Sequence, residues 1–191
     1  MKRLLTITAI VALAACGEND KPANAANTDK PLTQSKNSPT FNNAFETLLA
    51  NYYRLKDALV STNDTMAVSS ARLLIANADS LKVDELKADS SIVEMADGYL
   101  QSISAEAKAL VAEPNIEAKR KSFQMISDNM YDLVRSVRYD RQIVYHHFCP
   151  MAFNDAGAYW LSNTSDIKNP YFGKKMLTCG EVKDSLDFIG Q

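Results

Sequence analysis

The sequence predicts a mainly α fold: an antiparallel up-down helical bundle with an irregular Cys/Met/aromatic-rich cap at its C-terminal end. Three observations carry that prediction. Apolar residues recur at steps of three and four in four segments between Phe41 and Val137. Short polar or proline-bearing connections separate the segments, as suits antiparallel neighbours. Beyond about residue 140 this spacing stops, and aromatics, prolines and glycines take over.

The chain begins with a segment that is not part of the fold. Lys2 and Arg3 precede the apolar run Leu4 to Ala14, and Leu13-Ala14-Ala15-Cys16 places small residues before a cysteine. The run is too short to span a bilayer and has the flanks of a secretory signal. Leu-Ala-Ala-Cys also resembles the bacterial lipobox. That resemblance implies cleavage after residue 15, lipidation of Cys16 and a membrane anchor on the periplasmic side of the envelope. Gly17 rather than an aspartate after the cysteine resembles outer-membrane sorting. Residues 16–40 are polar, carry three prolines and hold almost no large apolar side chains. Such a segment cannot offset its ordering entropy by burial, so it is expected to be a disordered tether.

The helical domain is expected over 41–191, with the bundle at 41–139 and the cap at 140–191. The first stripe is Phe41, Phe45, Leu48, Tyr52, Leu55 and Leu59. Ser61-Thr62-Asn63-Asp64 breaks it and offers N-cap oxygens to the next helix. The second is Ala67, Ala71, Leu74, Ala78 and Leu81, whose small residues allow close approach. The stretch from Lys82 to Ser90 is open between helix and turn. The third is Ile92, Ala96, Tyr99, Ile103, Ala107 and Leu110, punctuated by Glu113-Pro114-Asn115. The fourth is Phe123, Ile126, Met130, Leu133 and Val137. Met66, Met95, Met125 and Met130 are expected to pack in the core. Asn169-Pro170-Tyr171-Phe172-Gly173 is expected to turn, proline fixing φ and glycine permitting a positive one. Glu181 to Ile189 is expected to form a last short helix.

Charge and composition exclude some functions. A formal net charge of -2 gives no electrostatic footprint for nucleic acid. No GxSxG, HExxH, GxGxxG or phosphate-loop motif is present, and no third group orients a Cys-His pair. The chain is therefore not expected to be an enzyme.

The chemistry lies in two short runs, His146-His147-Phe148-Cys149-Pro150-Met151 and Met176-Leu177-Thr178-Cys179-Gly180. Thiolate, thioether and imidazole are ligands that Cu(I) and Ag(I) prefer. Pro150 favours an extended Cys149, and alternate side chains of a strand share a face. His147, Cys149 and Met151 are therefore expected to point one way. Met176 and Cys179 are three apart, so one turn brings them to one side. A return at Asn169–Gly173 would let all five donors converge. The alternative is structural. Export leaves Cys149 and Cys179 as an even pair in an oxidising compartment, and their disulfide would close a loop of about 30 residues worth about 3–4 kcal/mol. Met151 and Met176 would then be packing residues, His146 structural, and Trp160, Tyr159, Tyr171 and Phe172 the core of a small cap.

The same residues carry a resemblance. Tyr145 through Met151, Tyr159-Trp160-Leu161-Ser162, Ile167 through Gly173 and Met176 through Gly180 are similar to the uncharacterised family called domain of unknown function three-three-four-seven. The likeness spans roughly Phe41 to the C-terminus, dense over 145–182 and diffuse over the helices. It implies an exported helical domain, found alone as a lipoprotein or appended to periplasmic adaptors of Cus-type copper and silver efflux systems. Such an adaptor is the partner it implies. The matched positions are Cys149, Pro150, Met151, Asn169, Pro170, Gly173, Met176, Cys179 and Gly180. Cys-Pro-Met is also similar to the metal-binding segments of those adaptors, but Ala152 stands where their core has histidine.

Overall fold

The computed structural model describes residues 37–190. The signal segment, Cys16 and most of the expected tether lie outside those residues.

Four long helices come first: α1 (Pro39–Val60), α2 (Asp64–Ser80), α3 (Ser90–Ala112) and α4 (Ile116–Val137). Their ends are chemical. Ser38 caps α1 by accepting the Phe41 amide at 3.1 Å, with Pro39 at the first turn, where a missing N–H costs nothing. Asn63 and Asn115 do the same for α2 and α4, accepting the amides of Met66 and Ala118 at 3.0 Å. The last residues of the expected tether pack on the helices: Asn37 is buried and donates to the Val137 carbonyl at 2.9 Å, and α1 itself begins at Pro39. Between α2 and α3 the chain leaves the helical path for a 3-10 turn at Val83–Glu85, which resolves the stretch the sequence left open.

Consecutive helices pack on one another, and all residues of the first, second and fourth stripes are buried. The third stripe shifts by one residue: Leu100 is buried and Tyr99 only half-buried. One correction concerns methionine. Met130 is in the core, but Met66, Met95 and Met125 are 50%, 41% and 47% exposed. Each lies off the apolar stripe of its helix, and the stripe decides burial rather than the residue type.

After α4, Arg138 takes a left-handed conformation and turns the chain. Three strands follow: β1 (Val144–Cys149), β2 (Ala158–Ser162) and β3 (Glu181–Leu186). They form one antiparallel sheet in the order β2-β1-β3. The region expected to be irregular therefore contains a sheet, and the helix expected over Glu181 to Ile189 is β3. Central strand β1 has backbone groups on both edges that must be paired, and β3 fills the second edge. Its own side chains, exposed except for Leu186, leave that choice to the backbone.

Two buried basic residues tie the loops to the helices. Arg120 on α4 donates to the carbonyls of Pro170 (2.8 Å) and Leu59 (2.9 Å), to Thr62 Oγ1 (3.0 Å) and to Glu117 (2.6 Å). Lys119 reaches the Glu113 carbonyl at 2.6 Å and Asp64 at 2.9 Å. The Tyr52 hydroxyl links three elements, sharing a hydrogen bond with Ser127 of α4 (2.8 Å) and accepting the Leu161 amide of β2 (2.9 Å). These bonds seat the sheet against α1 and α4.

Candidate functional site around the cysteine pair

Cys149 ends β1 and is fully buried; Cys179 lies just before β3 and is half-buried. The β1–β3 pairing, with Phe148 opposite Glu181, draws the two cysteines together. Their sulfurs are 2.9 Å apart. Two neighbours fix Cys179. Its carbonyl accepts Asn169 Nδ2 at 2.8 Å, and its amide donates to the Met176 carbonyl at 3.1 Å.

Asn169 deserves its expected place in a turn. Its Oδ1 accepts the amides of Tyr171 (2.7 Å) and Phe172 (3.1 Å), and its own carbonyl accepts Gly173 N–H at 3.0 Å. Gly173 has φ +56, and a Cβ there would come within 2.8 Å of Arg120 Nη2 and 2.9 Å of the Val60 carbonyl. Gly180 is constrained as tightly, since a Cβ would lie 2.8 Å from the Phe148 carbonyl and 2.9 Å from the Trp160 ring. The close approach of Gly180 to β1 is what lets the sulfurs meet.

The expected common face holds for two residues and fails for the third. His147 and Cys149 are alternate residues of β1 and both are buried. Met151 is not on the strand. β1 stops at Cys149, Met151 sits at φ -88, ψ -7, and its side chain is 47% exposed. Pro150 keeps Cys149 extended but has no N–H to continue the ladder, so the chain turns instead. Over α5 (Ala152–Asp155) it then runs left-handed, with φ 52, 57 and 66 at Phe153, Asn154 and Asp155. Met151 and Met176 nonetheless line one open groove of about 490 Å³, together with Phe153, Tyr171 and Lys175.

His147 is packed rather than bonded. Its ring meets Trp160 edge to face at 5.2 Å, and neither nitrogen has a hydrogen-bond partner, sulfur included. Burial, then the nearby Lys56 and His146, push its pKa down to about 4. His146 points to the other face, stacked between Tyr131 and Tyr159. The Cys179 thiol is pushed up to about 11, first by its hydrogen bond with Cys149 and then by burial. A thiol held that high is almost all protonated at neutral pH and is a poor nucleophile. Among the described residues no three His, Cys, Asp or Glu side chains converge as metal ligands. Of the cap aromatics, Trp160 and Tyr171 are buried and Tyr159 and Phe172 half-buried. Sequence reasoning missed Arg120, which sits in the basic run Lys119-Arg120-Lys121 and so reads as part of a solvated face, with no local sign that its guanidinium would span α1, α4 and the Asn169 turn.

The helical part of the chain has relatives. Residues 48–142 match DUF3347, a family described as protein of unknown function. The family named from the sequence is matched, but over the helices, from within α1 to just past α4, and not over 145–182, where the likeness was expected to be densest. The DUF3347 match ends before β1, so it does not reach Cys149 or Cys179. No curated protein and no solved structure matches the chain. No described helix is long and apolar enough to cross a membrane.

Proposed function

We propose that the chain is a non-catalytic module of the cell envelope, lipid-anchored through Cys16, whose up-down helical bundle carries a cap closed by a Cys149–Cys179 disulfide. The single observation behind this reading is the 2.9 Å separation of the two sulfurs. A disulfide needs them at about 2.05 Å, so closure asks for a small movement. A metal at about 2.3 Å from both sulfurs in a tetrahedral site would instead need them roughly 3.8 Å apart. The closing step is thiol–disulfide exchange with an exported disulfide oxidant. Each cysteine gives up a proton, the pair gives up two electrons, and the oxidant leaves as two thiols. The raised Cys179 thiol supports a structural rather than a catalytic pair.

The test is trapping of protein taken directly from the periplasm with an alkylating reagent, before and after reduction. Two thiols that react only after reduction support the staple. Two thiols free at the outset would overturn it.

A second reading rests on a different observation, the groove that Met151 and Met176 line together, although neither cysteine is part of its lining. In it the reduced chain holds Cu(I) or Ag(I) through Cys149, Cys179 and the two thioethers, for sequestration or for delivery to an efflux adaptor. His147 would join only if the ring left Trp160. One-to-one Cu(I) uptake by reduced protein, lost in the double variant Cys149→Ser with Cys179→Ser, is the outcome it requires. Uptake that persists in that variant sinks it.

A further inference from the structure

A second groove lies on the opposite face of β1, between α4 and the sheet. It has a volume of about 470 Å³ and is lined by Asp128, Tyr131 and Asp132 of α4, His146 of β1, Tyr159 of β2, and Lys183 and Asp184 of β3. Four observations on it point one way.

The first is an imidazole with no protein partner at the groove. His146 is 9% exposed and lines the groove, yet no hydrogen bond reaches either of its nitrogens among the described residues. Unlike those of His147, its nitrogens are not shut off from solvent, so a group bound in the groove could reach them.

The second is uncompensated charge. Asp128 and Asp132 are four residues apart on α4, so their carboxylates face one another on adjacent turns, where like charges repel. Neither makes an ion pair among the described residues. Asp128 is held above the usual carboxylate range by burial and then by Asp132. Asp184 adds a third carboxylate, with only the Tyr131 hydroxyl (3.4 Å) and the Ser185 amide (2.8 Å) on its oxygens.

The third is the wall. Tyr131, His146 and Tyr159 stack in sequence, at 3.9 Å and 4.7 Å between ring centroids. Aromatic faces beside carboxylates suit an organic cation better than a bare metal ion.

The fourth is that the groove's own cation is engaged elsewhere. Lys183 pairs with Glu181 at 2.5 Å and lies over the Phe148 ring at 5.4 Å. Arg135 lies over the Tyr131 ring at 5.2 Å without an ion pair to Asp132.

We propose that this groove is a binding site for an alkylammonium group, held by the Asp128, Asp132 and Asp184 carboxylates against the Tyr131–His146–Tyr159 stack. The ammonium donates to the carboxylates, and its alkyl stem lies along the rings. Either a free amine or a lysine side chain on a peptide carries that chemistry. The site is separate from the cysteine pair, neither member of which lines it.

The chain has two histidines, which gives the experiment its internal control. The full chain, with its histidine rings isotopically labelled, is titrated at constant ionic strength with 1,4-diaminobutane. A parallel titration uses a blocked Gly-Lys-Gly peptide. The His146 ring resonances shift to saturation, while those of His147, enclosed on the other face, stay put. Combined Asp132→Asn and Asp184→Asn weakens the response by about tenfold or more, and Lys183→Gln, which removes a positive charge from the rim of the groove, strengthens it about twofold to fivefold. Response to the diamine alone identifies a free amine as the source, and response to both admits a peptide lysine. No saturable shift at His146 overturns the proposal. So does an equal shift of both histidines, an equal response to sodium chloride, or an unchanged response in Lys183→Gln.

Discussion

Asn169 holds Cys179 in position: its Nδ2 donates to the Cys179 carbonyl at 2.8 Å while its Oδ1 accepts two amides of the turn that follows. The side chain is fully buried, so nothing replaces these bonds when it is lost. Asn169→Ala should therefore destabilise the reduced protein by about 2–4 kcal/mol. Asn169→Asp, which keeps the acceptors and loses the donor, should make the cysteines easier to alkylate while preserving the turn. Urea midpoints and alkylation rates of both variants check this. A midpoint within error of the parent for Asn169→Ala would show that the turn forms without its side chain.

Oxidation of the cysteine pair should raise the midpoint of unfolding. The bond would join residues 30 positions apart in the chain, and the chain-entropy model gives about 3–4 kcal/mol for that length. The comparison is between oxidised and reduced protein in the same buffer, with and without chelator. A metal-dependent protein would instead lose stability to the chelator in the reduced state.

His147 should make the fold sensitive to acid. Its folded-state pKa of about 4 lies below the unfolded value of about 6.5. As pH falls, the unfolded chain binds the proton first. Its contribution is therefore fully present above about pH 6.5 and is lost progressively down to about pH 4, by up to about 3 kcal/mol. His146, also pushed down to about 4 by burial, titrates in the same window. His147→Phe should leave stability at pH 7 unchanged or higher, because two unpaired buried nitrogens disappear. It should also flatten the slope of stability between pH 4 and pH 6.5 by about half. An unaltered slope would mean that the imidazole titrates freely.

Gly173→Ala should be among the more costly single-atom-group additions in the chain. The residue sits at φ +56, and the new Cβ would meet Arg120 Nη2, Thr62 Oγ1 and the Val60 carbonyl all below 3.0 Å. Left-handed strain of about 1 kcal/mol adds to overpacking of about 1–3 kcal/mol. The loss should appear as a lower melting temperature, together with weaker protection of the Gly173 amide from exchange. A variant as stable as the parent would show that Arg120 can move away without cost.

Much of the fold was legible because helices are local. The residues of the first, second and fourth stripes were each named from spacing alone, and each is buried, since a 3.6-residue period defines a face whatever packs on it. Ser61 to Asp64 announced the break and cap between α1 and α2 through side-chain oxygens that act within three residues. The Asn169–Gly173 turn was legible for the same reason. The exposed Met66, Met95 and Met125 were not, because methionine is apolar by type and only its position around the helix says which way it faces.

The cysteine pair and the second groove belong to the other category. The sequence by itself determined that Cys149 is extended, that Cys179 follows a turn, and that both lie beyond the helices. Whether the sulfurs met was decided by the pairing of β1 with β3, a contact between segments about thirty residues apart with no local signal in Glu181–Leu186. That same pairing put His146 opposite Asp184, whereas Pro150 ended the strand before Met151. Backbone hydrogen bonding across a sheet depends on what is available to pair, not on the residues that do it, so tertiary structure alone could settle it.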